Sequence, residues 1–141
     1  MEDRYLFKAK TAQIVGIYNN GLEDGVWVHG SLRCDVGKYT IFQFETERAD
    51  YVEYEIDPST ICQCTGLKDK NGKLIWENDI VKGKYYDGGK AYEHMGQIKY
   101  YCQSYKVVGI NQYEGYHAEL NGLYEIVGNI FDNPELLESE G

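Results

Sequence analysis

Thr65-Gly66-Leu67-Lys68-Asp69-Lys70-Asn71-Gly72-Lys73-Leu74-Ile75-Trp76 is the stretch on which the fold turns. Asn71-Gly72 supplies the positive φ angles that a two-residue type I′ hairpin turn demands. Beyond it, Asp79-Ile80-Val81-Lys82-Gly83-Lys84-Tyr85 begins a further strand, and Gly96 to Cys102, Tyr105 to Asn111 and Tyr124 to Ile130 supply three more. Short strands broken by Gly at this spacing predict a small SH3-like β-barrel over residues 65–141. The chain then closes with Asp132-Asn133-Pro134-Glu135-Leu136-Leu137. Asn133 suits an N-cap, Pro134 the first helical position and Glu135 the positive end of the dipole, so one short terminal helix is expected.

The segment before this stretch also reads as antiparallel strands. Tyr5, Phe7 and Ala9 alternate against Leu6, Lys8 and Lys10 at the start of a strand over Tyr5 to Ile17, which ends near Asn19-Asn20-Gly21. In a second strand Val26, Val28 and Leu32 share one face, and Trp27, His29 and Arg33 the other. Asp35-Val36-Gly37 turns the chain into a β-branched and aromatic third strand, Lys38 to Phe44. Tyr51 to Asp57 alternates most clearly, with Val52, Tyr54 and Ile56 on one face and Tyr51, Glu53, Glu55 and Asp57 on the other. Such a carboxylate row can chelate a metal or mimic phosphates; the simpler reading, adopted here, is the solvated face of a strand. Pro58 cannot donate to a ladder, so Asp57-Pro58-Ser59-Thr60 ends the strand. The predicted fold class is mainly β, a β-rich α+β chain. It has N-terminal antiparallel strands over residues 1–64, the SH3-like barrel and short helix over 65–141, and the two segments form one compact unit.

Composition agrees with that class. The 141 residues include 14 Tyr and 16 Gly but only 2 Pro, which suits pleated surfaces joined by tight turns. With 43% hydrophobic and 26% charged residues the chain is neither disordered nor a membrane protein by composition. No apolar run approaches the roughly 20 residues that span a bilayer, and Met1-Glu2-Asp3-Arg4 does not resemble a signal peptide, so a cytoplasmic location is expected. Net charge is -9, unevenly spread. Residues 66–106 hold eight lysines against five acids, a balance of +3, whereas residues 107–141 hold seven acids and no Lys or Arg.

Several motifs together resemble the YopX family of phage and prophage proteins. Thr65-Gly66-Leu67-Lys68-Asp69-Lys70-Asn71-Gly72-Lys73 is the most specific. Trp27-Val28-His29-Gly30-Ser31-Leu32, Asp57-Pro58-Ser59-Thr60-Ile61, Glu77-Asn78-Asp79-Ile80-Val81 and Val127-Gly128-Asn129-Ile130-Phe131-Asp132-Asn133-Pro134-Glu135-Leu136 follow in the family's order. Asn78 departs from a pattern that usually has Gly there, but Asn tolerates the left-handed conformation better than most residues, so the turn is expected to survive. The resemblance implies a β-rich fold and a prophage setting in a host bacterial cell. It brings no reaction, cofactor or catalytic residue.

Residues that could carry chemistry are dispersed. His29, His94 and His117 stand in separate segments and read as structural, and no phosphate-binding loop, dinucleotide motif, nucleophile elbow or metalloprotease motif is present. Cys34, Cys62, Cys64 and Cys102 lack the paired knuckles of structural zinc; they read as free thiols packed as small hydrophobes, with no metal or cofactor assigned. The strongest functional signal is the basic, Tyr-rich middle, where Lys82, Lys84, Tyr85, Lys99, Tyr100 and Tyr101 could neutralise phosphates and stack bases. Ordinary β-sheet with a wet lysine face accounts for the same composition. The leading expectation is a non-enzymatic phage or prophage accessory protein that self-associates and acts through contacts with a phage or host protein. Nonspecific or single-stranded nucleic-acid binding by the barrel is second, and an enzyme with a dispersed site third.

Overall fold

The computed structural model describes residues 6–13, 19, 22–45 and 49–138. Two compact units divide the chain, Met1–Cys64 and Thr65–Gly141. The protein is mainly β, built from antiparallel ladders.

In the first unit, β1 (Phe7–Lys10), β2 (Trp27–Asp35), β3 (Lys38–Glu45) and β4 (Asp50–Glu55) are joined by the start of β5 (Cys62–Lys68), in the order β4-β3-β2-β1-β5. Alternation drives Ala9, Val28, Ile41, Val52, Tyr54 and Ile56 into one buried cluster. Val36 and Gly37 have φ of 48° and 78°, so the β2–β3 connection is a type I′ turn. The first strand is shorter than expected: β1 ends at Lys10, and Thr11 bridges Ile56. Tyr5, residues 14–17 and Asn20-Gly21, which belonged to that expectation, lie outside the described residues.

The carboxylate row on β4 is not uniformly solvated. Glu55 is only 2% exposed. Its N–H donates to Asn19 Oδ1 at 2.9 Å, and its carbonyl accepts from Asn19 Nδ2 at 3.1 Å and from the Ala12 N–H at 3.0 Å. Contacts with residues distant in sequence cover this end of the strand, which a local alternation cannot reveal. Glu53 accepts a hydrogen bond from Thr40 Oγ1 at 3.0 Å. The strand stops where expected, and Asp57 caps a single 3-10 turn, Pro58–Thr60, by accepting the Ser59 N–H.

In the second unit the rest of β5 turns into β6 (Leu74–Trp76), and the turn differs from the expected one. Asp69 and Lys73 close a three-residue loop, in which the Asp69 N–H donates to Lys73 O at 2.8 Å and the Gly72 N–H to Asp69 O at 3.0 Å. Gly72 has φ of 83°, whereas Asn71 is not left-handed. This is a type I turn followed by a left-handed glycine, not type I′ at Asn71-Gly72. Asp69 is the cause. Its Oδ1 accepts the N–H groups of both Asn71 and Lys73, each at 2.9 Å, and so favours the longer loop.

The remaining strands are β7 (Asp79–Asp87), β8 (Lys90–Tyr101), β9 (Ser104–Gly109), β10 (His117–Glu119) and β11 (Glu125–Asn129), ordered β10-β9-β8-β7-β11. β8 begins earlier than expected because Gly88-Gly89, with φ of 58° and 81°, turns β7 straight back into it. Ile75, Val81, Ile98, Val107 and Tyr124 form the core. The backbone also passes close at Gly96, where a Cβ would lie 2.4 Å from Val108 O. Asn78 has φ of 71°, so it does take the left-handed position of the turn before β7.

Two expectations for this unit change. The ladders run in an open order with β10 and β11 at the ends, so the described strands form a sheet rather than a closed barrel. The terminal helix is one 3-10 turn, Pro134–Leu137. Asn133 does not cap it: its Oδ1 accepts the Asn129 N–H at 3.2 Å, drawn back to the end of β11. Cysteine packing was also only half foreseen. Cys62 and Cys64 are buried, while Cys34 and Cys102 are exposed, and all four are free. No helix among the described residues is long and apolar enough to cross a membrane.

Candidate binding groove

Residues opposite each other in a ladder share a face, so register sorts the second unit's side chains. One face carries Val81, Gly83 and Tyr85 of β7, with Gly96, His94 and Tyr92 opposite them on β8; it is the core face. The other carries Lys82 and Lys84 of β7, Glu93, Gln97, Lys99 and Tyr101 of β8, Lys106 and Val108 of β9, and His117 and Glu119 of β10.

The six residues of the expected nucleic-acid surface therefore do not form one platform. Lys82, Lys84, Lys99 and Tyr101 share the polar face, but Tyr85 and Tyr100 lie on the opposite one. Tyr85 stacks on Tyr92 with centroids 5.5 Å apart, and Tyr100 meets the edge of Tyr105 at 5.0 Å. The register also sets acids opposite several of the lysines, although Glu125 pairs with Lys70 at 3.4 Å and not with Lys82. Lys84 stands opposite Glu93 and Lys82 opposite Glu125, and Lys106 donates to Glu119 Oε1 at 2.7 Å. The bond to Glu119 raises the Lys106 pKa, and the same bond, with Ser104 Oγ, lowers that of Glu119. Lys99, by contrast, stands opposite Lys106.

A groove of about 560 Å³ opens on this polar face. Its floor is the cross-strand row Gln97, Val108 and His117. Lys99 stands at one end. At the other are Ile110, Asn111 and Glu114 of the loop after β9, with Leu137 of the C-terminal turn. Asn111, at φ of 55°, donates through Nδ2 to Leu136 O at 2.9 Å and so holds that turn to the loop. Gln97 Nε2 donates to Asn78 Oδ1 at 3.0 Å. His117 Nδ1 lies 2.7 Å from the Tyr101 hydroxyl; with the hydroxyl as donor, Nε2–H is the polar group this ring has left to offer.

His94 is the reverse case. It is 1% exposed, with Nε2 2.6 Å from Tyr116 O and Nδ1 2.8 Å from the Tyr124 hydroxyl. A carbonyl only accepts, so Nε2 carries the proton and Nδ1 receives the one from Tyr124. Burial pushes the His94 pKa down, the Tyr116 carbonyl pulls it part of the way back, and His117 lowers it further. Burial, with Tyr85, pushes Tyr124 up to about 12. Both His94 nitrogens are engaged, so this dyad ties β8 to the segment around Tyr116 and Tyr124 and leaves no group free for a ligand. His29 is exposed on β2.

Of the groove residues, only Lys99 and Tyr101's partner His117 drew notice in the sequence, and His117 only as a lone histidine. β10 has three residues, too few for a period to show, and Glu114 and Leu137 arrive from loops. The alternation Gln97-Lys99-Tyr101 is the local pattern that points to a shared face.

Fold and groove define a mainly β protein of two antiparallel units, with a polar groove on the second. The sequence profile of the YopX family, described as YopX protein, matches residues 12–138 of the 141, and the chain belongs to that family. No curated protein matches it.

Proposed function

We propose that this chain is a non-enzymatic phage or prophage accessory protein that works through protein contacts in the cytoplasm of its bacterial host and self-associates. The observation that carries this reading is the outer edge of β4. β3 occupies one side of β4, and antiparallel alternation turns the backbone groups of Tyr51 and Glu53 the other way. Beside them Phe44 and Tyr51, 50% and 61% exposed, form an edge-to-face pair at 5.3 Å. Among the described residues no strand lies beyond this edge, although the Tyr51 N–H donates to Asp50 Oδ1 at 2.7 Å, and an edge with exposed aromatics is a surface on which another chain adds a strand. The order β11-β7-β8-β9-β10 supports an SH3-like second unit that stops short of closure.

Light scattering on a sizing column tests it. The full chain should elute as more than a monomer, and Phe44→Lys with Tyr51→Lys should shift it toward monomer. A monomer at high micromolar concentration overturns self-association through this edge. The rival reading, single-stranded nucleic-acid binding, is disfavoured by the acids registered against Lys82, Lys84 and Lys106. Single-stranded DNA should bind no tighter than about 100 μM at physiological salt. Micromolar binding that falls steeply with salt and weakens in Lys82→Ala, Lys84→Ala or Lys99→Ala would install the rival instead.

A further inference from the structure

We propose that the groove on the second unit binds a short extended peptide, with its C-terminal carboxylate at Lys99 and His117 and its amino end toward Glu114. The site lies in the second unit and stands or falls separately from the β4 edge.

Charge placement is the first argument. Lys99 is two residues beyond Gln97 on β8, which places it about 6.6 Å further along the strand than the Gln97–Val108–His117 row. Glu114 belongs to the loop at the opposite end, beyond Gly109 and Ile110. A cation at one end, a ring N–H on the floor and a carboxylate at the other end match the ends of an extended chain of roughly three residues. Lys99 suits the anion because its ladder neighbour is Lys106, itself bonded to Glu119, whereas Lys82 and Lys84 each stand opposite an acid.

Volume and lining agree. About 560 Å³ lies within the usual range for a small-ligand site. Val108 on the floor and Ile110 and Leu137 toward the Glu114 end supply apolar surface, enough to favour apolar side chains on the ligand. His117 is held by Tyr101 with Nδ1 engaged, so its Nε2–H can reinforce Lys99 on the carboxylate.

The test is calorimetry and ¹⁵N-detected titration of the full chain with alanyl-valyl-leucine, its C-terminal amide and its N-acetyl form. The free tripeptide should bind with a Kd on the order of 0.1 mM, with shifts centred on Gln97, Val108 and His117. The amide should bind about tenfold more weakly, and the acetylated peptide should lose a smaller factor that disappears in Glu114→Gln. Lys99→Met should cost about tenfold, while Lys84→Met, on the same face but outside the groove, should change nothing. No saturable binding up to about 10 mM, equal affinity for acid and amide, or shifts confined to other strands would each overturn the proposal. An internal glutamate in a doubly blocked peptide that binds as well as the free tripeptide would overturn the chain-end assignment.

Discussion

Asp69 offers the sharpest test of how the second unit is held together. The residue is 5% exposed, and its two oxygens accept three backbone N–H groups: Asn71 and Lys73 at 2.9 Å on Oδ1, and Ile126 at 3.1 Å on Oδ2. The first two set the turn and the third fastens it to β11, beside the Lys70 N–H that donates to Tyr124 O at 2.9 Å. Asp69→Asn keeps Oδ1 for the turn but presents an amide N–H to the Ile126 N–H, donor against donor. One charge-assisted bond is lost and a half-buried donor is stranded, which costs about 2 kcal/mol. Urea unfolding should show a lower midpoint with unchanged slope, and Tm should fall by about 6 °C.

Protonation checks the cause. Burial raises the Asp69 pKa, but the N–H groups of Lys73, Ile126 and Asn71, with the Lys73 charge, outweigh it and hold the carboxyl below its ordinary value. A depressed carboxylate stabilises the fold above the unfolded pKa, about 3.9, and the benefit is lost as pH falls through the folded value. The gap between wild type and Asp69→Asn should therefore be full at pH 6 and shrink below about pH 4. An unchanged urea midpoint, or a gap that stays constant down to pH 2.5, would refute the assignment.

Three further outcomes follow from the same geometry. His94 has its pKa lowered, so the unfolded state takes up its proton first, and wild type should lose stability as pH falls below about 6.5; His94→Gln, which can donate to Tyr116 O and accept from Tyr124, should flatten that slope in urea titrations at pH 7.5 and 5. Val36 is fully exposed and β-branched at φ of 48°, so Val36→Asn should raise stability by about 1 kcal/mol in thermal melts. Gly96→Ala would place a Cβ 2.4 Å from Val108 O and 2.7 Å from Val107 Cγ1, and should cost about 3 kcal/mol or more, read as a large fall in Tm or loss of soluble protein.

Local chemistry explains why much of the fold was legible. Val52, Tyr54 and Ile56 alternate with polar residues, and they are buried because a strand alternates whatever lies above it. Asn78 was read as a left-handed residue and is one, since that tolerance belongs to the side chain itself. Pro58 ended its strand for want of an N–H. The hairpin at Asn71-Gly72 was placed correctly but typed wrongly, because Asp69 bonds two N–H groups of the loop and shifts the turn by one residue.

Whatever depends on pairing between distant segments lay beyond the sequence. Glu55 looked solvated from its own strand, yet Asn19 and Ala12, which cover it, come from more than 30 positions away. Tyr85 and Tyr100 fall on the far face from their neighbours Lys84 and Lys99 by alternation within one strand, but which faces of β7 and β8 coincide could be told only from their register. The groove joins β8, β9 and β10 to a loop and the C-terminal turn, and no one of these carries its pattern. Sequence alone thus determined most strands and their buried faces, several turns and the family motifs, because each depends on neighbours within a few residues. Tertiary structure alone decided which polar faces are shared, which carboxylate is buried and where a ligand could sit, because those depend on register.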